Sequence, residues 1–231
     1  MVGLEVLVVR RPVTTLLLVA VVAPALAGDG RLEISQACAA TGCFAGDASG
    51  FPVSITTAGS YVLTGNLALA GSVVDGIEVT ASGVTIDMGG MAIVGPATCT
   101  GTGAGVTCNL ARSFAQSGIS IAASDISVYN GTISGTTENA VGITTAVTGV
   151  RIERIRAVRN AGNGISMQPT IAGNTSIAIV DSQVVAHGRD ELARDRSQRV
   201  VAEHLHRAVV GLERGAPRPS YRSASRSSTP T

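Results

Sequence analysis

Val141-Gly-Ile-Thr-Thr, Gly149-Val-Arg-Ile-Glu and Ile155-Arg-Ala-Val-Arg-Asn160 are three consecutive short segments in which apolar and polar residues alternate. The preceding residues lie over them in the same phase: Ser117-Gly-Ile-Ser-Ile, Asp125-Ile-Ser-Val-Tyr and Gly131-Thr-Ile-Ser-Gly135. Asp75-Gly-Ile-Glu-Val, Gly83-Val-Thr-Ile-Asp and Gly90-Met-Ala-Ile-Val-Gly95 form an earlier line, and Asn163-Gly-Ile-Ser-Met, Ser176-Ile-Ala-Ile-Val and Gln183-Val-Val-Ala a later one. The Gly-Ile anchors Gly118, Gly142 and Gly164 are spaced by 24 and 22 residues, and the longer step from Gly76 contains the stretch from Cys99 to Cys108. Alternation with period two marks strands with side chains pointing in and out by turns. Three such strands per repeat, stacked at a period in the twenties, give a parallel β-helix around a column of aliphatic side chains.

The small residues suit that coil. Ile77, Ile119, Ile143 and Ile165 stack on one another, as do Val84, Ile126 and Val150, and β-branched side chains fit a half-buried pleat. Gly, Asn and Asp punctuate the corners, with Asn130 and Asp181 at one recurrent corner. An antiparallel sandwich would give no reason for the Gly-Ile phase to recur. Leucine is too scarce here for a leucine-rich repeat.

The whole chain has 231 residues, 28 of them Gly, with three Phe, three Tyr, no Trp and a net charge of +1. Few rings and little net charge argue against a nucleic-acid stacking platform or a general polyanion binder. A mean hydropathy of +0.36 is too apolar for a disordered protein. Residues 1–27 carry Arg10 and Arg11, the apolar run Val13 to Ala23, and then Pro24-Ala-Leu-Ala27. This pattern predicts a secretory signal cleaved after Ala27, with no permanent membrane span in the mature chain. In an exported protein the four cysteines read as disulfides, and of the three connectivities the local one, Cys38–Cys43 with Cys99–Cys108, is expected. Zinc is not expected, because no C-x-x-C or neighbouring His accompanies them.

Ile34-Ser-Gln-Ala-Cys38, Thr41-Gly-Cys43-Phe-Ala-Gly-Asp47, Gly50-Phe-Pro-Val-Ser-Ile55 and Gly59-Ser-Tyr-Val-Leu-Thr-Gly-Asn66 resemble exported bacterial right-handed parallel β-helix repeat proteins of the pectin-lyase-like superfamily. The segments 84–95 and 129–135 are similar to the coils of that family, and the resemblance covers roughly 31–188. It implies an all-β, right-handed solenoid, with residues 28–70 as N-terminal cap and first strands and 71–188 as coils. Lyases of the family use calcium held by acidic side chains and an Arg or Lys base on uronic-acid polymers; its hydrolases use clustered Asp. The acids available here are Asp75, Glu78, Asp87, Asp125, Glu138, Glu153 and Asp181. Asp87 and Glu153 follow the second strand two coils apart with Tyr129 between them, and such corner acids read chiefly as turn formers. None of the motifs that mark the lyases or polygalacturonases is visible, so no catalytic residue and no cofactor is assigned, calcium entering only with the lyase alternative.

Arg151, Arg154, Arg156 and Arg159 with Glu153 fall within nine residues. Alternation points Arg151 and Arg156 outward, and Arg151, Arg154, Arg156 and Glu153 are the candidate carbohydrate-binding residues, by bidentate pairing with carboxylated sugars. The expected function is a secreted, periplasmic or surface repeat protein, non-catalytic, presenting a face to extracellular polysaccharide; the alternative is a polysaccharide lyase or glycoside hydrolase acting on acidic polymer.

Residues 189–231 differ in composition: nine Arg against five acids make them +4, whereas 28–188, with six Arg and ten acids, are −4. Val201, Leu205, Ala208 and Leu212 follow helical spacing and predict an α-helix, and the Pro/Ser/Thr/Arg run after Gly215 reads as disorder. The helix would cap the last coil or the basic tail would hold an acidic partner; a shifted reading frame near His187 would also produce such a segment. His187, His204 and His206 read as tail composition rather than as metal ligands.

Overall fold

The computed structural model describes residues 30–70, 73–102, 105–110, 116–167, 175–185, 187–188, 192–193 and 200–203. Its strands stack as a parallel β-solenoid of about five turns. One sheet takes the first strand of each turn: Val53–Ile55, Ile77–Val79, Ile119–Ile121, Val141–Ile143, Ile165–Met167 and Leu192–Ala193. A second runs through Leu32–Ile34, Gly59–Leu63, Val84–Asp87, Ile126–Ser134, Thr148–Val158, Thr175–Val180 and Val200–Glu203. Its strands bend into a third row formed by Leu67–Ala68, Ala92–Val94, the ends of the two long strands, and Gln183–Val185.

Register explains the core. Val53, Ile77, Ile119, Val141 and Ile165 are successive partners, and so are Tyr61, Ile86, Val128, Ile152 and Ile179. The third row contributes Leu67, Ile93, Ile133, Ala157 and Val184, and all three columns are buried. Each fully buried aliphatic side chain is worth roughly 1.5–3 kcal/mol of transfer free energy. The period-two pattern therefore selects which side chains line the coil, and the columns hold its turns together.

Corners recur as the columns do. Left-handed backbone appears at Gly83, Asp125, Gly149 and Ser176 before the second strand, at Asn130, Arg154 and Asp181 after it, and at Gly135 and Arg159 after the third. At Gly149 positive φ favours glycine, and a Cβ would come 2.5 Å from the Asp125 Oδ1 of the turn before, displacing that side chain.

Both disulfides pair as the sequence predicts, Cys38–Cys43 and Cys99–Cys108, which fits an oxidising environment. The first lies beside a short helix, Gln36–Ala39, whose N-terminus is capped by Ser35. Around it the first turn's edge is covered: Gln36 Oε1 accepts the Ala68 N–H at 2.7 Å, and Asp47 Oδ1 accepts the Ser54 N–H at 2.9 Å. Phe44 packs edge-on to Tyr61, with centroids 5.1 Å apart. A strand edge without such partners would be open to association. The second disulfide joins an antiparallel hairpin, Cys99–Thr100 with Thr107–Cys108.

Of the segment expected to be helical, only residues 201–203 are described, and there the helix is corrected to a strand; Leu205, Ala208 and Leu212 lie outside the described residues. Val200–Glu203 is a strand paired in parallel with Ile177–Val180, and Leu192–Ala193 pairs with Ile165 and Ser166. Val-Val-Ala suits an extended pleat, and the edge of the preceding turn supplies its hydrogen-bond partners. The segment read as distinct from the repeat thus shares its register at these positions. Residues 1–29 and 204–231, with the predicted signal segment and the remainder of the tail, lie outside the described residues. No helix among the described residues is long and apolar enough to cross a membrane.

Candidate functional site

The arginine cluster stands on the outer face around the second corner. Along Thr148–Val158, Val150, Ile152, Ile155 and Ala157 point inward, while Arg151, Arg154 and Arg156 are exposed. The phase shift between Ile152 and Ile155 is the corner itself, where Arg154 adopts φ +50° in the column that holds Asn130 and Asp181. Asn and Asp tolerate that conformation readily; an Arg there costs about 1 kcal/mol. Two partners hold it: Nε donates to Asn130 Oδ1 at 2.7 Å, and Nη1 pairs with Glu153 Oε1. Glu153 also receives Arg151 Nε at 2.7 Å.

The predicted stripe is therefore only partly one unit. Arg151, Glu153 and Arg154 come together, with the side chains of the two arginines 50% and 51% exposed and that of Glu153 19%. Arg156 belongs to the next row and donates to Gln183 Oε1 at 3.0 Å. Arg159 turns to the third corner, donating to the Cys99 carbonyl at 3.5 Å.

The network extends to Asp87 and Asn130, both legible in the sequence, and to Arg31, which was not. Asp87 accepts from Arg31 Nη1 at 3.1 Å, Asn130 Nδ2 at 3.2 Å and the Gly89 N–H at 2.9 Å. Side chains thus link Arg31, Asp87, Asn130, Arg154, Glu153 and Arg151 in one hydrogen-bonded band along the solenoid. Register sets Asp87, Tyr129 and Glu153 side by side on successive turns, as their sequence positions imply. Asn130 was legible as a corner residue; Arg31, 56 residues from its partner, gave no local signal.

The other acids are elsewhere. Asp75 accepts the Ser117 N–H at 2.6 Å. Burial pushes its carboxyl above the usual range; hydrogen bonds from the Ser117 backbone and Ser120 side chain oppose this, and the charges of Glu78 and Glu138 add to it. Asp125 and Asp181 occupy exposed corners with positive φ. Among the described residues, no three His, Cys, Asp or Glu side chains converge as a metal site would require.

His187, read from sequence as tail composition, is a buried member of a polar column in the third corner. Asn160 Oδ1 accepts the Thr136 N–H at 3.0 Å and the Thr136 hydroxyl at 2.8 Å, while Asn160 Nδ2 donates to the Ile133 carbonyl at 3.2 Å. The Asn160 N–H in turn donates to His187 Nδ1 at 3.3 Å. Burial lowers the His187 pKa to about 4, and the Asn160 N–H, which needs a lone pair on Nδ1, suits the same neutral ring. The Cys99–Cys108 hairpin lies against this corner: a Cβ on Gly188 would sit 3.3 Å from Cys108 Sγ. A cavity of about 270 Å³ lies by the cap, between Leu32, Phe44, Tyr61 and Thr57, and the Tyr61 hydroxyl there already donates to the Thr57 carbonyl at 2.7 Å.

Fold and band together define a parallel β-solenoid with a polar outer face. Comparisons with known protein families, with curated proteins and with solved structures find no match to the chain.

Proposed function

We propose that this is an exported, non-catalytic β-helix repeat protein of the pectin-lyase-like type that presents the outer face of its second corner to extracellular polysaccharide. The observation that carries the reading is the hydrogen-bonded band from Arg31 through Asp87, Asn130 and Arg154 to Glu153 and Arg151. It runs with the solenoid axis, so a linear polymer lying along it meets planar donors and acceptors on successive turns. The neighbouring side chains Arg156 and Gln183 extend the same polar surface. Asp87 and Glu153 are both engaged by guanidinium groups, which favours structural and binding roles for them over proton transfer.

Affinity electrophoresis of the purified protein through gels containing soluble polysaccharides tests binding; retardation by at least one polymer is expected. Incubation with uronic-acid polymers, with and without calcium, tests the non-catalytic reading. Unsaturated products or new reducing ends in that assay would replace it with the lyase or hydrolase alternative.

A further inference from the structure

We infer that Tyr129 is a stacking platform for a neutral pyranose ring and that Asp87 and Glu153, on the adjacent turns, receive its hydroxyl groups. The assignment rests on the polysaccharide-binding reading above and specifies its ligand. Aromatic residues are scarce in this chain, and the described ones divide sharply. Tyr61 belongs to the core, and Phe44 and Phe51 pack against it near the cap. Tyr129 alone among them stands on the outer face of the coils, half-buried, at the midpoint of the polar band. Its hydroxyl makes no hydrogen bond among the described residues, whereas the side chains around it are engaged with one another.

The charge pattern selects the ligand. Strands in register lie ~4.8 Å apart, so Tyr129 has a carboxylate one strand away on each side. Both carboxylates are ion-paired, Asp87 with Arg31 and Glu153 with Arg151 and Arg154, so a carboxylated sugar over the ring finds little net attraction and gains a bidentate partner only by breaking a pair. The guanidinium groups of Arg151 and Arg154 are committed to Glu153, and that of Arg31 to Asp87. An anionic polymer would have to compete for them. A neutral pyranose meets no such opposition: its apolar C–H face covers the ring, and its edge hydroxyls donate to the remaining lone pairs of the two carboxylates. Hydroxyl-to-carboxylate bonds are charge-assisted and stronger than neutral ones. The strand spacing is also close to the length of one sugar unit, so neighbouring units of an extended chain fall near successive turns.

Affinity electrophoresis of the full chain against a neutral β-glucan, a galactomannan, polygalacturonate and alginate separates the possibilities. The wild type is expected to bind a neutral polymer, with little dependence on salt. Tyr129→Phe keeps the platform and should bind as the wild type does; Tyr129→Ala should bind about tenfold more weakly with an unchanged melting temperature. Neutral binding that survives Tyr129→Ala overturns the platform. Binding confined to the acidic polymers, abolished by salt and by Arg151→Ala with Arg156→Ala, overturns the neutral ligand while leaving a carbohydrate-binding protein. Retardation by none of the four overturns this assignment, and extension of the same assay to further polymers then decides the reading beneath it.

Discussion

The second and third corners are built from the same repeat and reach opposite chemical solutions. At the second, Asn130 and Arg154 face solvent and connect charged side chains across turns. At the third, Thr136, Asn160 and His187 are buried, and their hydrogen bonds close on one another and on the backbone. The Cys99–Cys108 hairpin lies against the third corner, leaving an early turn and reaching residues 52 to 60 positions later. In water, a polar column can exchange partners and its pairs are individually weak. At the third corner the Thr136 and Asn160 side chains and His187 Nδ1 depend on the groups beside them. His187 Nε2 has no partner among the described residues, and an unmade bond costs its desolvation.

The buried corner should therefore respond most strongly to mutation. Asn160→Ala removes the acceptor for two Thr136 donors and the donor for the Ile133 carbonyl, all in a site closed to water. The expected loss is roughly 3–5 kcal/mol, from stranded buried groups together with the bonds themselves. Urea unfolding followed by circular dichroism measures it. A loss below about 1 kcal/mol would mean that water reaches the column and that the contrast between corners is wrong.

Acid should loosen the third corner next. His187 is 5% exposed and its pKa falls from 6.5 to about 4 in the folded chain. The unfolded chain takes up the proton first, so this group leaves stability intact above about pH 6.5 and removes it progressively as the pH falls toward 4. Over that interval the loss is about 3 kcal/mol. Asp75 shifts upward, so its contribution has the opposite sign: ionising it costs the fold stability as the pH rises through its folded value. Comparing wild type with His187→Gln isolates the histidine, because Asp75 is common to both. The wild type should lose more stability than the variant between pH 7 and 4. Replacing Cys99 and Cys108 by Ser should remove about 2–3 kcal/mol from the hairpin's loop closure and, by admitting water, reduce the acid sensitivity. Equal pH slopes in wild type and His187→Gln would show that the histidine is not buried neutral.

Some of this was legible in the chain and some was not, for separable physical reasons. The Gly-Ile phase and the alternation of Val, Ile and Ser are local, and they determine both the inward columns and the register of Asp87, Tyr129 and Glu153. Cys38 with Cys43 and Cys99 with Cys108 are close in sequence, so their pairing followed from proximity. Alternation also places Arg151 outward, but it says nothing of which neighbour takes its charge. The Arg31–Asp87 pair depends on stacking several turns, and the Cys99–Cys108 hairpin reaches the buried His187 corner from an early turn. Arg154 was read as one of four similar cations; its corner conformation appears only when its turn is aligned with Asn130 and Asp181. At Val200–Glu203 the chain pairs with an existing strand edge, which the spacing of Val201 alone did not indicate.

The weakest expected effect gives the sharpest test of the exposed corner. Glu153→Gln keeps the side chain's shape and one amide oxygen but withdraws the charge shared by Arg151 and Arg154. The two guanidinium groups are half exposed, so the combined contribution of these pairs should be about 1 kcal/mol or less and should shrink further in high salt. Stability in urea at low and high ionic strength measures both parts. The substitution also releases two guanidinium groups beside Tyr129, so polyanion binding should rise as stability barely moves. A loss comparable to Asn160→Ala would instead show that the second corner is as closed to water as the third. A purely solvated salt bridge and a preorganised binding surface differ in this respect: removing Glu153 leaves the first unchanged in ligand preference but turns the second toward anions.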